Sequence, residues 1–235
     1  MLEYLKNKKI MVVVAHPDDE ILGVGASINI LQNLGAVIKV VILGEGITSR
    51  GETRDLKIFN KQLNKHKINI KEAQACLKYQ ELSIYNLPDN RFDTIPLLDI
   101  IKIIEKEKQE FKPDVIFTHY MGDVNIDHQK TFEAVNVAIR PLETELVKAF
   151  ICFETLSGTE WIPSSDPRRF TPNFYIEMEE NNLKCKIDAM NCYEFEKRKF
   201  PHPRSEEGIK TRAQMWGISI GKKFAEAFQV IRLIS

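Results

Sequence analysis

Two short polar segments hold most of the side chains able to do chemistry: His16-Pro17-Asp18-Asp19-Glu20, and the ten residues from His119 to His128, which read HYMGDVNIDH. Together they supply three imidazoles and several carboxylates. A catalytic zinc takes three ligands of the His and Asp kind and leaves a fourth position for water, whose pKa it lowers towards ~7. His16 and Asp19, with Pro17 stiffening the turn between them, and His128 make such a set. Asp18 would lie beside the ion but point elsewhere, because consecutive side chains in a turn diverge, and it is the natural general base. A lone His or Asp after a strand is more often a helix cap. Two adjacent carboxylates at one turn, however, repel each other unless a cation offsets them. Iron(II) or another divalent ion suits the same ligands.

Residues on two segments so far apart meet only if the fold brings strand ends together. Ile10 to Ala15 is a short, continuously apolar, β-branched run, the pattern of a parallel strand buried on both faces. Ile21 to Leu34 has helical spacing and stops at Gly35, and Val37 to Leu43 is a second strand, giving a βαβ unit. Glu45 to Lys71 reads as a long polar loop passing into a helix over Lys71 to Tyr79. Leu82 to Leu87, Asp114 to Thr118 and Ala149 to Thr155 read as strands, Pro96 to Phe111 and His128 to Ile139 as helices. Beyond residue 157 prolines interrupt the pattern; one helix is expected near Leu183 to Lys199 and another over Ser205 to Phe228. The expectation is a single domain over 1–235, with a doubly wound, mostly parallel α/β core (1–156) and an irregular C-terminal extension (157–235) over the strand ends. Ligands of open parallel sheets bind at the carboxyl ends of the strands, where both polar segments fall.

Bulk properties set bounds. The 235 residues fit one α/β domain; 33 basic residues balance 33 acidic ones and 43% are apolar, which argues against a nucleic-acid partner and against disorder. Four scattered cysteines without a C-x-x-C pair read as reduced thiols. No apolar run approaches the ~18 residues that cross a bilayer, and the expectation is a cytoplasmic protein.

At these residues the chain resembles the LmbE-like, or PIG-L, family of zinc-dependent sugar de-N-acetylases, whose signature is Ala-His-Pro-Asp-Asp-Glu followed downstream by His-x-Asp-His. Ala15 to Glu20 matches the first element in full; the second reads Asn125-Ile126-Asp127-His128, with Asn where the family has its first His. The resemblance implies His16, Asp19 and His128 as zinc ligands and Asp18 as base. It leaves open whether Asn125 polarises the carbonyl or orients a neighbour. Gly46 to Arg50, Leu87 to Asp93, Ser157 to Trp161 and Pro201 to Ser205 are similar to the surface-polysaccharide and nucleotide-sugar branch. The resemblance therefore implies a nucleotide- or lipid-linked N-acylated amino sugar as substrate, with a homo-oligomer compatible.

Further roles follow from it. His202, framed by Pro201 and Pro203, is nominated as the acid that replaces the missing His, donating as imidazolium; a surface His in a proline-rich loop is an equal alternative. Arg50, Arg91 and Arg204, with Asp123 and Asp127, are nominated for substrate binding; a bridge to a surface carboxylate is an equal alternative for each arginine. The family's arginine before the helix that follows the long loop is missing from Ile68 to Ala73. His119 reads as a partner of a ligand or loop, His66 as solvated, and Trp161 and Tyr120 as packing or sugar-stacking groups. Two competing functions share these residues: a non-catalytic sugar or nucleotide module, suggested by Gly23-Val24-Gly25, and a metallohydrolase of another amide or ester bond.

Overall fold

The computed structural model describes residues 1–234. Five parallel strands, β1 (Lys9–Val14), β2 (Val37–Gly44), β3 (Glu81–Leu87), β4 (Val115–His119) and β5 (Ala149–Phe153), are completed by β6 (Phe174–Glu177) and β7 (Ala225–Leu233). The sheet order is β3-β2-β1-β4-β5-β7-β6. β7 runs antiparallel to both β5 and β6. The order reverses between β1 and β4, which pair directly. A crevice opens there at the strand ends, because the chain leaves the two strands towards opposite sides.

The apolar run of β1 is continuous because both of its faces are buried. Ile10, Val12 and Val14 join one core cluster, Met11, Val13 and Ala15 the other. The first cluster lies under helices α1 (Asp19–Asn33), α2 (Leu56–Leu77), α5 (Glu180–Cys192) and α6 (Glu206–Ser219); the second lies under α3 (Leu97–Phe111) and α4 (Ile126–Ala138). Each fully buried Ile or Val contributes roughly 1.5–3 kcal/mol of transfer free energy, so two filled faces hold this central strand firmly.

Three expectations are corrected. The loop expected over 45–71 is mostly helix: α2 begins at Leu56, where the Asp55 side chain accepts the backbone N–H groups of Lys57 and Ile58 at 2.8 and 3.3 Å. The apolar periodicity is masked because the buried stripe of α2 includes His66 and Asn69 beside Phe59, Ile70, Ala73 and Leu77. The helix expected over Ser205 to Phe228 stops at Ser219, and Ala225–Leu233 enters the sheet between β5 and β6, a pairing that no local pattern announces. The extension is thus partly regular, adding two strands and two helices. Among the described residues no helix is long and apolar enough to cross a membrane.

Candidate active site

β1 empties into the turn 15–18 and β4 into the loop 120–125, so the switch point of the sheet brings the two polar segments together. Asp19 sits at their centre. Its Oδ2 lies 3.4 Å from His16 Nδ1 and 3.4 Å from His128 Nε2. Ligand atoms about 2.0–2.1 Å from a tetrahedral zinc stand roughly 3.3–3.4 Å apart, so these separations match edges of a zinc coordination tetrahedron. The three donor atoms all fall within 4.8 Å of one another.

A carboxylate stands behind each imidazole, the placement from which a partner fixes the tautomer and aim of a metal-binding histidine. His16 Nε2 donates to Asp127 Oδ2 at 2.8 Å. His128 Nδ1 lies 3.1 Å from Asp123 Oδ2. Asp127 also accepts the backbone N–H groups of Asn90 (2.7 Å) and Phe92 (2.8 Å), and Asp123 accepts the Thr159 hydroxyl and the Asn125 N–H. Both carboxylates are buried with their oxygens engaged, at 1% and 0% exposure for Asp123 and Asp127. Neither lines the cleft where a substrate contact was expected; both lie behind the histidines. His16, Asp89 and Asp127 form a second close donor group, but the bonds to Asp127 mark it as a buttress.

His119 is excluded as a ligand by its bonding. Its Nε2 accepts the Ala15 N–H at 2.9 Å and its Nδ1 donates to the Thr155 hydroxyl at 2.8 Å, so the ring is neutral, with no lone pair left over. It stacks on His128 at 4.0 Å and 8°. Burial and the neighbouring His128 hold its pKa well below the usual value. Asp19 carries the countercharge. Burial alone would raise its carboxyl, but the charge of the neighbouring His128 keeps it well below the ordinary range. Burial lowers His128 and is outweighed by Asp19 and Asp123, which lift it to about 9.

Asp18 caps α1 in the left-handed region, at φ 102° and ψ −25°, which turns its side chain away from that of Asp19. A non-glycine residue there costs about 1–3 kcal/mol and persists only where the surroundings impose it. The backbone N–H of Asp18 is held by Glu20 Oε2 at 3.1 Å, and Glu20 Oε1 accepts the Tyr193 hydroxyl. Asn90 and Ser157, at φ 53° and 66°, line the same cleft, so three strained residues gather there. Arg204 donates from one nitrogen to both Asp18 (2.9 Å) and Glu196 (2.9 Å), and from Nε to Ser157 Oγ (2.6 Å). Burial pushes the Asp18 carboxyl well up, and Arg204 opposes this.

The cleft, of about 250 Å³, is lined by His16, Asp18, Asn125, Arg50, His202 and Arg204 of the expected residues. Asn125 caps α4, its Oδ1 accepting the Asp127 N–H at 2.8 Å while Nδ2 donates to Asn90 at 2.9 Å. His202 stands edge-on to the half-exposed Trp161. Its Nδ1 accepts the Arg204 N–H at 3.1 Å. Burial and the charges of Arg204 and Arg198 lower its pKa, so the imidazolium form expected for it is disfavoured. Arg50 is tied to Glu196 and to the Phe195 carbonyl, Arg204 to Asp18, and Arg91 is exposed outside the cleft lining.

The structure adds Asp89, Ser49 and Glu196 to the cleft, and places Trp161 in its lining. Asp89, in the Pro88-Asp89-Asn90 run after β3, was findable from its strand-end position; Glu196, inside a run of charges, reads as surface. Arg54, just before the true start of α2, grips Glu45 at 2.8 and 3.1 Å. His66 is buried rather than solvated, and burial followed by Arg50 lowers its pKa to about 4. Tyr120 is also buried. A Cβ at Gly23 would meet the Phe153 ring at 2.3 Å, so this glycine serves helix packing, not a phosphate cradle.

Solved structures share this architecture. N,N'-diacetylchitobiose deacetylase from Pyrococcus horikoshii superposes with a TM-score of 0.76 at 16% identity, over 96% of this chain and 84% of that one. Teicoplanin deacetylase Orf2, in a zinc-inhibited form, gives 0.75 at 15% identity over 95% and 98%. GalB, a 4-carboxy-2-hydroxymuconate hydratase from Pseudomonas putida KT2440, gives 0.74 at 16% over 97% and 98%. Identities this low speak for the fold alone. Osteomodulin of Bos taurus is 24% identical over 149 residues, 63% of this chain and 35% of that protein; the chain spans about a third of that curated relative, and the match carries no argument about activity. The family model described as PIG-L, GlcNAc-PI de-N-acetylase, matches residues 11–139, more than half of the sequence, and the chain belongs to that family.

Proposed function

We propose that the chain is a metal-dependent hydrolase that removes an acetyl or other small acyl group from the amine of an N-acylated sugar. The observation that carries this reading is the pair of 3.4 Å edges at Asp19, each leading to a histidine backed by a buried carboxylate. His16, Asp19 and His128 would hold zinc, and iron(II) suits the same donors. When bound, the ion would polarise the acyl carbonyl and acidify water.

The remaining steps belong to the protein. Asp18, raised by burial yet steadied by Arg204, takes a proton from the attacking water and passes it to the departing amine, so one carboxyl serves as base and then acid. Asn125 Nδ2 and the neutral His202 ring offer N–H donors to the substrate from the cleft wall. A cleft of about 250 Å³ suits one sugar ring, and Trp161 at its rim offers a stacking face. Arg198 on the same wall, bonded to backbone carbonyls and to no carboxylate, favours an anionic carrier such as a sugar nucleotide. Residues 1–235 are read as one domain, because β6 and β7 join the same sheet as β1.

Released acetate is the decisive assay, with zinc-loaded protein tested on N-acetylated monosaccharides and sugar nucleotides. Turnover is expected on at least one, with Asp18→Asn lowering kcat by about 10²–10⁴ while zinc stays bound. No acetate from any of them, with zinc bound, removes the reading. Hydrolysis of another amide or ester bond is the second reading, because the same metal donors would serve it, and acetyl esters belong in the same screen.

A further inference from the structure

The left-handed turn at Asp18 is gripped from both sides. In front, Arg204 holds the carboxylate. Behind, the Asp18 backbone N–H donates to Glu20 Oε2 at 3.1 Å, and the Tyr193 hydroxyl donates to the other oxygen of the same carboxylate. Tyr193 and Glu20 are each 0% exposed and Asp18 is 2% exposed, so water does not compete for these bonds. Tyr193 follows the last residue of α5, and the chain beyond it supplies the Phe195 carbonyl and Glu196, which hold Arg50 and Arg204. One tyrosine therefore joins the C-terminal segment that carries the arginine clamp to the turn that carries the base.

We infer that Tyr193 is a positioning residue, which acts through Glu20 to hold Asp18 in its left-handed conformation and so aims the carboxylate into the cleft while Asp19 faces the metal-binding histidines. This rests on the reading of Asp18 as the general base. Without the hydroxyl, the Glu20 carboxylate is free to swing from the Asp18 N–H, and the turn can relax towards ordinary backbone angles. Relaxation would move the base and leave Asp19, which is held separately by the His16 N–H at 2.8 Å, in place.

The test compares Tyr193→Phe, Glu20→Ala, Glu20→Gln and the double variant Tyr193→Phe/Glu20→Ala as zinc-loaded full-length protein, on the N-acetylated sugar turned over fastest by the wild type. Tyr193→Phe should lower kcat roughly tenfold, with KM and bound zinc within about twofold of wild type. The Asp18 amide signal should shift in an ¹H–¹⁵N spectrum of the same variant. Glu20→Ala should lose at least as much, and the double variant no more than Glu20→Ala alone, because the two residues act in series. Glu20→Gln keeps an oxygen for the Asp18 N–H and should recover most of the loss; these two variants decide the matter should Tyr193→Phe prove unfolded.

The inference is overturned if Tyr193→Phe leaves both kcat and the Asp18 amide unchanged, if the two losses multiply in the double variant, or if Glu20→Gln is as impaired as Glu20→Ala. Turnover retained by Asp18→Asn would instead remove the reading of Asp18 as base, a distinct failure.

Discussion

Asp19 and His128 face each other in the dry interior, and their charges decide how the metal-free protein responds to pH. Burial lowers the His128 pKa, yet Asp19 and Asp123 lift it from 6.5 to about 9. A histidine raised in the folded state adds stability that is complete below about pH 6.5 and lost as pH climbs to about 9. The melting temperature of metal-stripped protein should therefore fall across that window, by the equivalent of on the order of 3 kcal/mol. His128→Asn should abolish this part of the pH dependence, and an unchanged profile in that variant would refute the assignment. Metal displaces the same proton, so zinc affinity, measured by competition with a chelator, should rise with pH over the same range. His16, Asp19 and His128 were legible from the sequence because each lies in a short motif whose spacing survives any fold. Asp89 and Glu196 reach the cleft only through long-range contacts, and nothing beside Glu196 in the chain distinguishes it from a solvated charge.

At the scale of elements, the loop Ser157 to Trp161 and the helix α4 pack around the candidate ligands. A Cβ at Gly158 would sit 2.7 Å from Asp123 Oδ1, and that carboxylate backs His128. Gly158→Ala should displace Asp123 and weaken zinc binding about 10–100-fold, as loss of a ligand's outer partner does. Isothermal titration against zinc reads it; unaltered affinity would mean that Asp123 is dispensable. Asn125→Ala removes the cap of α4, where Oδ1 accepts the Asp127 N–H at 2.8 Å, and should cost about 1 kcal/mol in chemical denaturation. β1, β2 and α3 are read correctly because their burial follows a simple period. α2 is not, since His66 and Asn69 occupy its inward stripe and disguise the periodicity.

Across the whole molecule, the two ends of the chain are locked by a buried ionic knot. Lys186 on α5 donates to Glu226 on β7 and to the Leu22 carbonyl on α1 at 2.6 and 2.7 Å. Glu226 in turn accepts the backbone N–H groups of Ala26 and Ser27. Glu226→Ala leaves the buried Lys186 ammonium without a countercharge, with the Leu22 carbonyl alone accepting from it, and should destabilise the protein by about 3–5 kcal/mol, read by urea denaturation. A loss below 1 kcal/mol would show that the C-terminal segment is not anchored there. The sequence by itself determined the parallel α/β core, the family signature and the three candidate ligands, because hydrophobic period and motif spacing are local properties of the chain. Only the tertiary structure decided that the last strand inserts between β5 and β6, that Asp123 and Asp127 lie behind the histidines and not on the cleft wall, and that Arg204 grips Asp18. Those outcomes depend on which distant groups share a buried site, where each polar atom must find a partner, and partners remote in sequence have no local signature.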